Sequence, residues 1–359
     1  MAKSKIDYLK GKIPMSSNKS SLFVIVALIM LVVAACQPAA PATVEPATSV
    51  SETAETDANQ PNYAGKKVLW VDSYHVGYEW SDGLSDGIHN VLDTSGVEIR
   101  DVHMDTKNNG SNDFCMQAGN DVKAIIDSFQ PDVIIASDDN AQRCLIVPHV
   151  LNTTEPVVFT AVNWDASKYG YPTDHVTGMV EIELIDQLFD HLRRYANGER
   201  FAMVTIDTET ERTIARTYNE RFFDGQMAEY YATTQDEFET MFLQAQENAD
   251  IVLTSNNAGT EWDDARAQAF FTANTRVPTG SVNPWMAPYV LITIGKVPEE
   301  LGEWAAQTAL SIIDGTPVAD IPVTTNKRGT LILNLNIAEA LDITFEPNML
   351  RFAEIYGGE

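Results

Sequence analysis

Cysteine is scarce in this chain: three residues in 359, at positions 36, 115 and 144, with no Cys-x-x-Cys pair. His75, His89, His103, His149, His175 and His191 never fall at ligand spacing with one another. These two shortages exclude the ordinary zinc arrangements, and no metal or cofactor is expected. Basic residues are also few, 24 Lys and Arg against 51 Asp and Glu, for a net charge of −27. A surface of that sign cannot neutralise a phosphate backbone, so nucleic acid is excluded as a partner, and direct adhesion to anionic lipid is disfavoured. No Gly-x-Ser-x-Gly elbow occurs. Ser73, His75 and Asp138 could be drawn as a hydrolytic triad, but Ser73 and His75 are two apart on an extended segment and point the same way without facing each other. No catalytic residue is therefore expected, and the chain reads as a non-enzyme.

Long apolar runs are missing too. The longest, residues 22–35, has fourteen positions, short of the ~20 that a spanning helix needs. Five lysines precede it, and it ends Val33-Ala34-Ala35-Cys36. A basic stretch, an apolar run and small residues before a cysteine form an export signal, and the ending resembles a bacterial lipobox, which implies lipidation of Cys36. Residues 1–35 are expected to be a signal peptide. Residues 36–63, rich in Pro, Ala, Thr and Glu, cannot bury enough apolar surface to offset chain entropy and should be a tether. The product is exported and held by lipid at the outer face of a membrane or in a periplasm.

From residue 64 the apolar pattern alternates between periods of 2 and 3.6. Strands are expected at 67–71, 97–104, 133–136 and 156–160, with helices at 81–92, 113–129 and 141–150 between them. A second series follows, with strands at 201–206, 227–232, 251–253 and 277–280 and helices at 183–195, 211–223, 235–247 and 261–272. A helix at 299–313, strands at 321–325 and 330–333 and a short helix at 337–341 close the chain. Alternation of this kind means parallel sheets with right-handed crossovers. The expected fold class is α/β, two Rossmann-like lobes with parallel sheets joined by a multi-strand hinge. The first lobe is assigned 64–177 plus about 296–316, the second 178–295 plus about 317–359.

Where the strands stop, polar and aromatic residues collect. The first lobe offers Ser73, Tyr74, His75, Tyr78 and Trp80, then Ser137, Asp138 and Asp139, then Asn163 and Trp164, with Glu181 beyond them. The second offers Asp207 and Thr208, Ser255 and Asn256, Asn283 and Trp285. Carboxyl ends of parallel strands share one edge of a sheet, so each set converges on a rim, and two rims make a cleft for a small ligand. Helix caps and turns equally favour Ser, Asp and Asn, a reading that suits Asp207 and Ser255 well. It does not account for rings in the same loops.

The segments Ser73-Tyr-His-x-Gly-Tyr-x-Trp80, Met104-Asp-Thr-Lys107, Pro131-Asp-Val-Ile-Ile-Ala-Ser-Asp-Asp139 and Pro156-Val-Val-Phe159 with Asn163 resemble the ABC transporter substrate-binding proteins of the tryptophan- and tyrosine-binding type. Val176-Thr-Gly178 with Glu181, and Asn336 through Pro347, extend the resemblance over 66–356. It implies a periplasmic-binding-protein type I fold that closes on a small solute. The implied partners are an ABC permease and its ATPase, with membrane contact through the lipid anchor, and a monomer is expected. Related domains serve as extracytoplasmic sensors for signalling kinases, which is the alternative role.

The strand-end loops hold rings, acids and neutral donors but few bases, with Lys107, Arg143 and Arg212 nearest. Such a set suits neither phosphate nor a dicarboxylate. It suits a flat or apolar body bearing an amine, such as an aromatic amino acid or a nucleoside-like compound. Cys115 and Cys144 fall early in neighbouring helices on one face of the first sheet, which leaves a disulfide or two buried thiols equally open.

Overall fold

The structure, a computed structural model, describes residues 63–358. The expected signal peptide, the lipidation site Cys36 and all but the last residue of the tether lie outside the described residues. The first series runs β1 (Lys67–Asp72), α1 (Glu79–Leu92), β2 (Glu98–His103), α2 (Asn112–Phe129), β3 (Val133–Ser137), α3 (Asp138–Ala141), β4 (Val157–Asn163) and β5 (Val176–Glu181). The second runs α4 (Ile185–Leu192), β6 (Phe201–Ile206), α5 (Glu209–Phe222), β7 (Ala228–Ala232), α6 (Gln235–Asn248), β8 (Ile251–Thr254), α7 (Asp264–Asn274), β9 (Thr279–Ser281) and β10 (Ile292–Lys296). Then come α8 (Pro298–Ile313), β11 (Thr324–Thr325), β12 (Gly329–Asn334), α9 (Leu335–Ala340), α10 (Pro347–Phe352) and β13 (Glu354–Tyr356).

Two sheets result, ordered β11-β5-β4-β3-β1-β2 and β13-β12-β10-β9-β8-β6-β7. The first is parallel throughout; in the second only β10 and β12 pair antiparallel. β1 lies inside its sheet between β3 and the edge strand β2, and Val68 through Val71 are fully buried, as a strand covered on both faces requires. One face carries α2 and the stretch Gln142–Val150 over Leu69, Val71 and Phe159, and the other carries α1 and α8 over Val68 and Trp70. α1 and α8 approach closely because their contact lacks side chains. A Cβ on Gly87 would stand 2.3 Å from the carbonyl oxygen of Glu299, and one on Gly302 2.3 Å from that of Leu84.

Several boundaries differ from expectation. The helix expected at 141–150 begins at Asp138 and widens into a π-helical stretch over Gln142–Val150. Pro148 inside that stretch has no N–H with which to close an α-turn. The strand expected at 321–325 shrinks to Thr324–Thr325, while β10, β13 and α10 were not anticipated. The lobe boundary expected at 177/178 falls inside β5, which stays in the first sheet to Glu181; likewise β11 adds to the first sheet, although residues from about 317 were assigned to the second lobe. The chain passes between the sheets after β5, after β10 and after β11, which makes a three-strand hinge. Cys115 and Cys144 are joined by a disulfide, with Cα atoms 5.8 Å apart.

Candidate functional site

Because the chain leaves the first sheet at the carboxyl end of β5 and the second at the carboxyl end of β10, both carboxyl edges meet at the hinge. Lys296, the last residue of β10, sits between Glu181 at the end of β5 and Glu183 in the crossing, with its ammonium 2.7 Å from the Glu183 carboxylate. All three side chains are largely buried. Burial pulls the Lys296 ammonium down, but the two carboxylates outweigh it and hold its pKa above the ordinary lysine value. Burial pushes the Glu181 carboxyl up, with Lys296 opposing. The same ammonium lies 5.4 Å from the ring centre of Trp80, the second residue of α1.

Asp138 is the most unusual group in this region. It follows β3 directly, has a left-handed backbone (φ 65°) and is 2 % exposed. Its Oδ2 has no hydrogen-bond partner. Burial first, then the neighbouring charges of Glu181, Asp72 and Asp139, push this carboxyl well above the usual carboxylate range, against a hydrogen bond from Trp80. A non-glycine residue in that backbone region costs roughly 1–2 kcal/mol, and strain of this sort gathers at ligand sites. Tyr74 is close enough to Asp138 for burial and that charge to raise its hydroxyl pKa as well.

The remaining expected residues divide into two sets. Tyr74 and Tyr78 meet edge to face with centroids 5.3 Å apart, and His75 lies 5.9 Å from Tyr78 and 3.7 Å from Asp105. Asp139 is engaged by Lys168 at 2.7 Å, Tyr169 at 2.6 Å and Asn163 at 2.8 Å; against the effect of burial, these partners hold it below the usual range. Ser73 and Ser137 are different. The Ser73 hydroxyl donates to the Ser137 carbonyl at 2.6 Å and accepts from the Ala141 N–H at 2.8 Å. The Ser137 hydroxyl accepts from the Trp70 indole at 3.2 Å and lies within hydrogen-bond distance of Asp72. Both serines are fully buried beneath the rim and brace it; Ser73 is not directed at His75, so the triad drawn from sequence does not assemble.

On the second lobe, Thr208 caps α5 and Asp207 holds Arg212 at 2.6 Å, so both serve the helix start. Ser255 is buried, and its carbonyl takes the Asn283 amide at 2.6 Å. Asn256 donates to Glu211 at 3.1 Å, whose other oxygen accepts from Thr205 at 2.7 Å. Trp285 is 54 % exposed in the turn Pro284–Tyr289 that follows β9. Trp164 reaches α5: it lies 6.1 Å from Tyr218 and 6.2 Å from Phe222, with Arg221 over its ring. Its backbone is also left-handed (φ 61°), just beyond a shift in β4 register between Phe159 and Val162.

Sequence reasoning missed Lys296, Glu183, Glu211 and Tyr218. The available signal for Lys296 was the buried run 291–295 that it ends. Two surface cavities lie elsewhere: one of about 250 Å³ around Tyr195, Arg200 and Arg276 at the amino ends of the second-sheet strands, and one of about 360 Å³ around Thr234, Gly259 and Arg266. Neither is lined by the hinge-side residues. Among the described residues, no cluster of metal-ligating side chains occurs, and no helix is long and apolar enough to cross a membrane.

Residues 79–355 match the family model described as ABC transporter substrate binding protein. No curated protein matches the chain. Among solved structures, the chain is similar to the ligand-free, open form of CD0873, a substrate-binding protein with adhesive properties from Clostridium difficile. The TM-score is 0.61 at 17% identity, covering 82% of this chain and 100% of that one. It is also similar to an ABC domain from Streptococcus pneumonia in complex with L-Trp, with a TM-score of 0.51 at 14% identity over 81% of this chain and 99% of that one. A conserved domain protein from Vibrio cholerae gives a TM-score of 0.51 at 16% identity, covering 81% of this chain and 99% of that one. At these identities the likeness speaks to the fold, that of periplasmic binding proteins of type I.

Proposed function

The chain belongs to the ABC transporter substrate-binding protein family, and on that premise we propose that it captures a small ring-bearing, amine-containing solute between its lobes. The solute is then delivered to a membrane permease, with Cys36 as the lipid anchor. The observation that carries the ligand class is Asp138: a buried carboxyl with one unpartnered oxygen, beside the rings of Trp80 and Tyr74. A bare buried acceptor next to aromatic faces matches an amine on a flat or apolar body. Aromatic amino acids and nucleoside-like compounds share that chemistry. Capture works by differential affinity: a ligand gripped by both lobes stabilises the closed arrangement over the open one.

A thermal-shift screen of ligand-stripped protein against amino acids, amines, nucleosides, sugars and polyols tests the reading. A true ligand at 100 times its dissociation constant adds ~2.7 kcal/mol of stability. Shifts from sugars or polyols alone, with none from ring-bearing amines, would sink the proposed ligand class and leave the family intact.

A further inference from the structure

Cations of this chain already sit on the rings at the strand ends. The Lys107 ammonium lies 5.2 Å from the centroid of Tyr74 and 4.7 Å from that of Tyr78. Lys296 stands 5.4 Å from Trp80. Ring faces attract cations through their quadrupole, so these residues display what the surfaces hold. Lys107 is exposed, and among the described residues it forms no ion pair with a carboxylate, in a chain with 51 acidic side chains. Its partners are the two rings.

The other cations nearby are committed: Lys168 to Asp139, Arg212 to Asp207, and Lys296 to Glu181 and Glu183. Asp138 adds a nearly inaccessible carboxyl with an unpartnered oxygen, within electrostatic reach of Tyr74. A carboxylate brought to Tyr74 and Asp138 would therefore meet acids, because Lys107 occupies the ring faces, Arg143 is turned to the amide oxygens of Asn112 and Asn140, and Arg221 lies over Trp164. We propose that the cleft selects an organic cation over a zwitterion, and that Lys107 is a built-in stand-in that the ligand's ammonium displaces from Tyr74 and Tyr78. This rests on the ring-and-amine reading and narrows it.

The test is isothermal titration of the full-length protein with three probes of one ring: tryptamine (cation), tryptophan (zwitterion) and tryptophol (neutral). Tryptamine is expected to bind at least about tenfold tighter than tryptophan, with tryptophol silent. Lys107→Met should tighten tryptamine about threefold by removing the competitor, while Lys107→Arg, which keeps a cation on the rings, should leave it unchanged. The sign of the Lys107→Met effect is what a merely structural lysine would not produce. Tryptophan binding as well as tryptamine, or Lys107→Met weakening tryptamine, overturns the inference while the ring-and-amine reading stands. Silence from all three probes in a protein that binds a sugar overturns both.

Discussion

Replacing Asp138 with Asn should separate binding from stability. The substitution keeps the shape and suits the backbone, since Asn is among the residues that tolerate a left-handed conformation. What it removes is an ionisable carboxyl that burial and three neighbouring acids hold well above its usual range. An acid whose pKa is raised by folding contributes its full stability below its unfolded value, near 3.9, and loses it as pH climbs through the folded value. At neutral pH the wild-type protein therefore carries a penalty that the amide variant does not. The prediction is a variant at least as stable as wild type at pH 7, by about 1 kcal/mol from the desolvated, unpartnered oxygen, with the advantage fading toward acid pH. Binding moves the other way. A hydrogen bond to a charged partner is worth ~1.5–3 kcal/mol, so an amine ligand should lose roughly 10- to 150-fold in affinity. Wild-type affinity should also fall as pH drops through the raised Asp138 value, and the variant should lack that dependence. Denaturant melts and calorimetric titration from pH 5 to 8 read both effects. Unchanged ligand affinity in Asp138→Asn would refute the assignment of Asp138 as the amine acceptor.

Lys296→Met strands two largely buried carboxylates and is predicted to cost about 3–5 kcal/mol in urea melts, with Glu181→Gln added to it recovering a substantial part; no recovery would mean the lysine acts through packing alone. The disulfide closes a loop with a sequence separation of 29, so Cys115→Ser with Cys144→Ser should lower stability by roughly 3–4 kcal/mol by loop-closure entropy, readable by comparing the variant with oxidised wild type. His103 is held above its ordinary pKa by the Asp72 carboxylate 3.0 Å away; for His89, burial lowers the pKa but Asp93 and Asp101 prevail and raise it. Their contribution is full below pH ~6.5 and disappears as pH rises through the raised values, so melting temperature should fall between pH 6 and 8. Substituting His103 with Gln should flatten that slope.

The alternation of periods carried the architecture because the strands of a covered parallel sheet read as apolar runs: β1, β3 and β6 stand within a residue or so of where the pattern puts them. The same physics hid β10. Its run follows the 3-10 turn Pro284–Tyr289 closely and meets α8 almost at once, and its antiparallel pairing with β12 is a tertiary choice. At the rim, residue type was a poor guide to direction. Ser73 and Ser137 share a polar strand-end segment with Tyr74 and Asp138, yet the fully buried serines bond the sheet below while Tyr74 belongs to the ring cluster at the rim. Alternation along an extended backbone accounts for the split, but only once the exact end of each strand is known. The direction of Trp164 was hidden for another reason: two left-handed residues, at 161 and 164, turn the end of β4 so that the indole meets α5.

Lys296 links the charge of the cleft to the geometry of the hinge. Its ammonium belongs to the second sheet, while Glu181 ends a strand of the first and Glu183 lies in the crossing between them. Any rotation of the lobes alters how well one cation compensates those two acids, and Asp138 feels the charge of Glu181 in turn. One ammonium facing two carboxylates and the neighbouring Asp138 leaves the region short of positive charge. On the proposed reading, a cationic ligand at Asp138 supplies that charge most effectively where the acids lie closest together. The free-energy difference that closes the lobes then arises at the hinge as well as at the rims that grip the ligand.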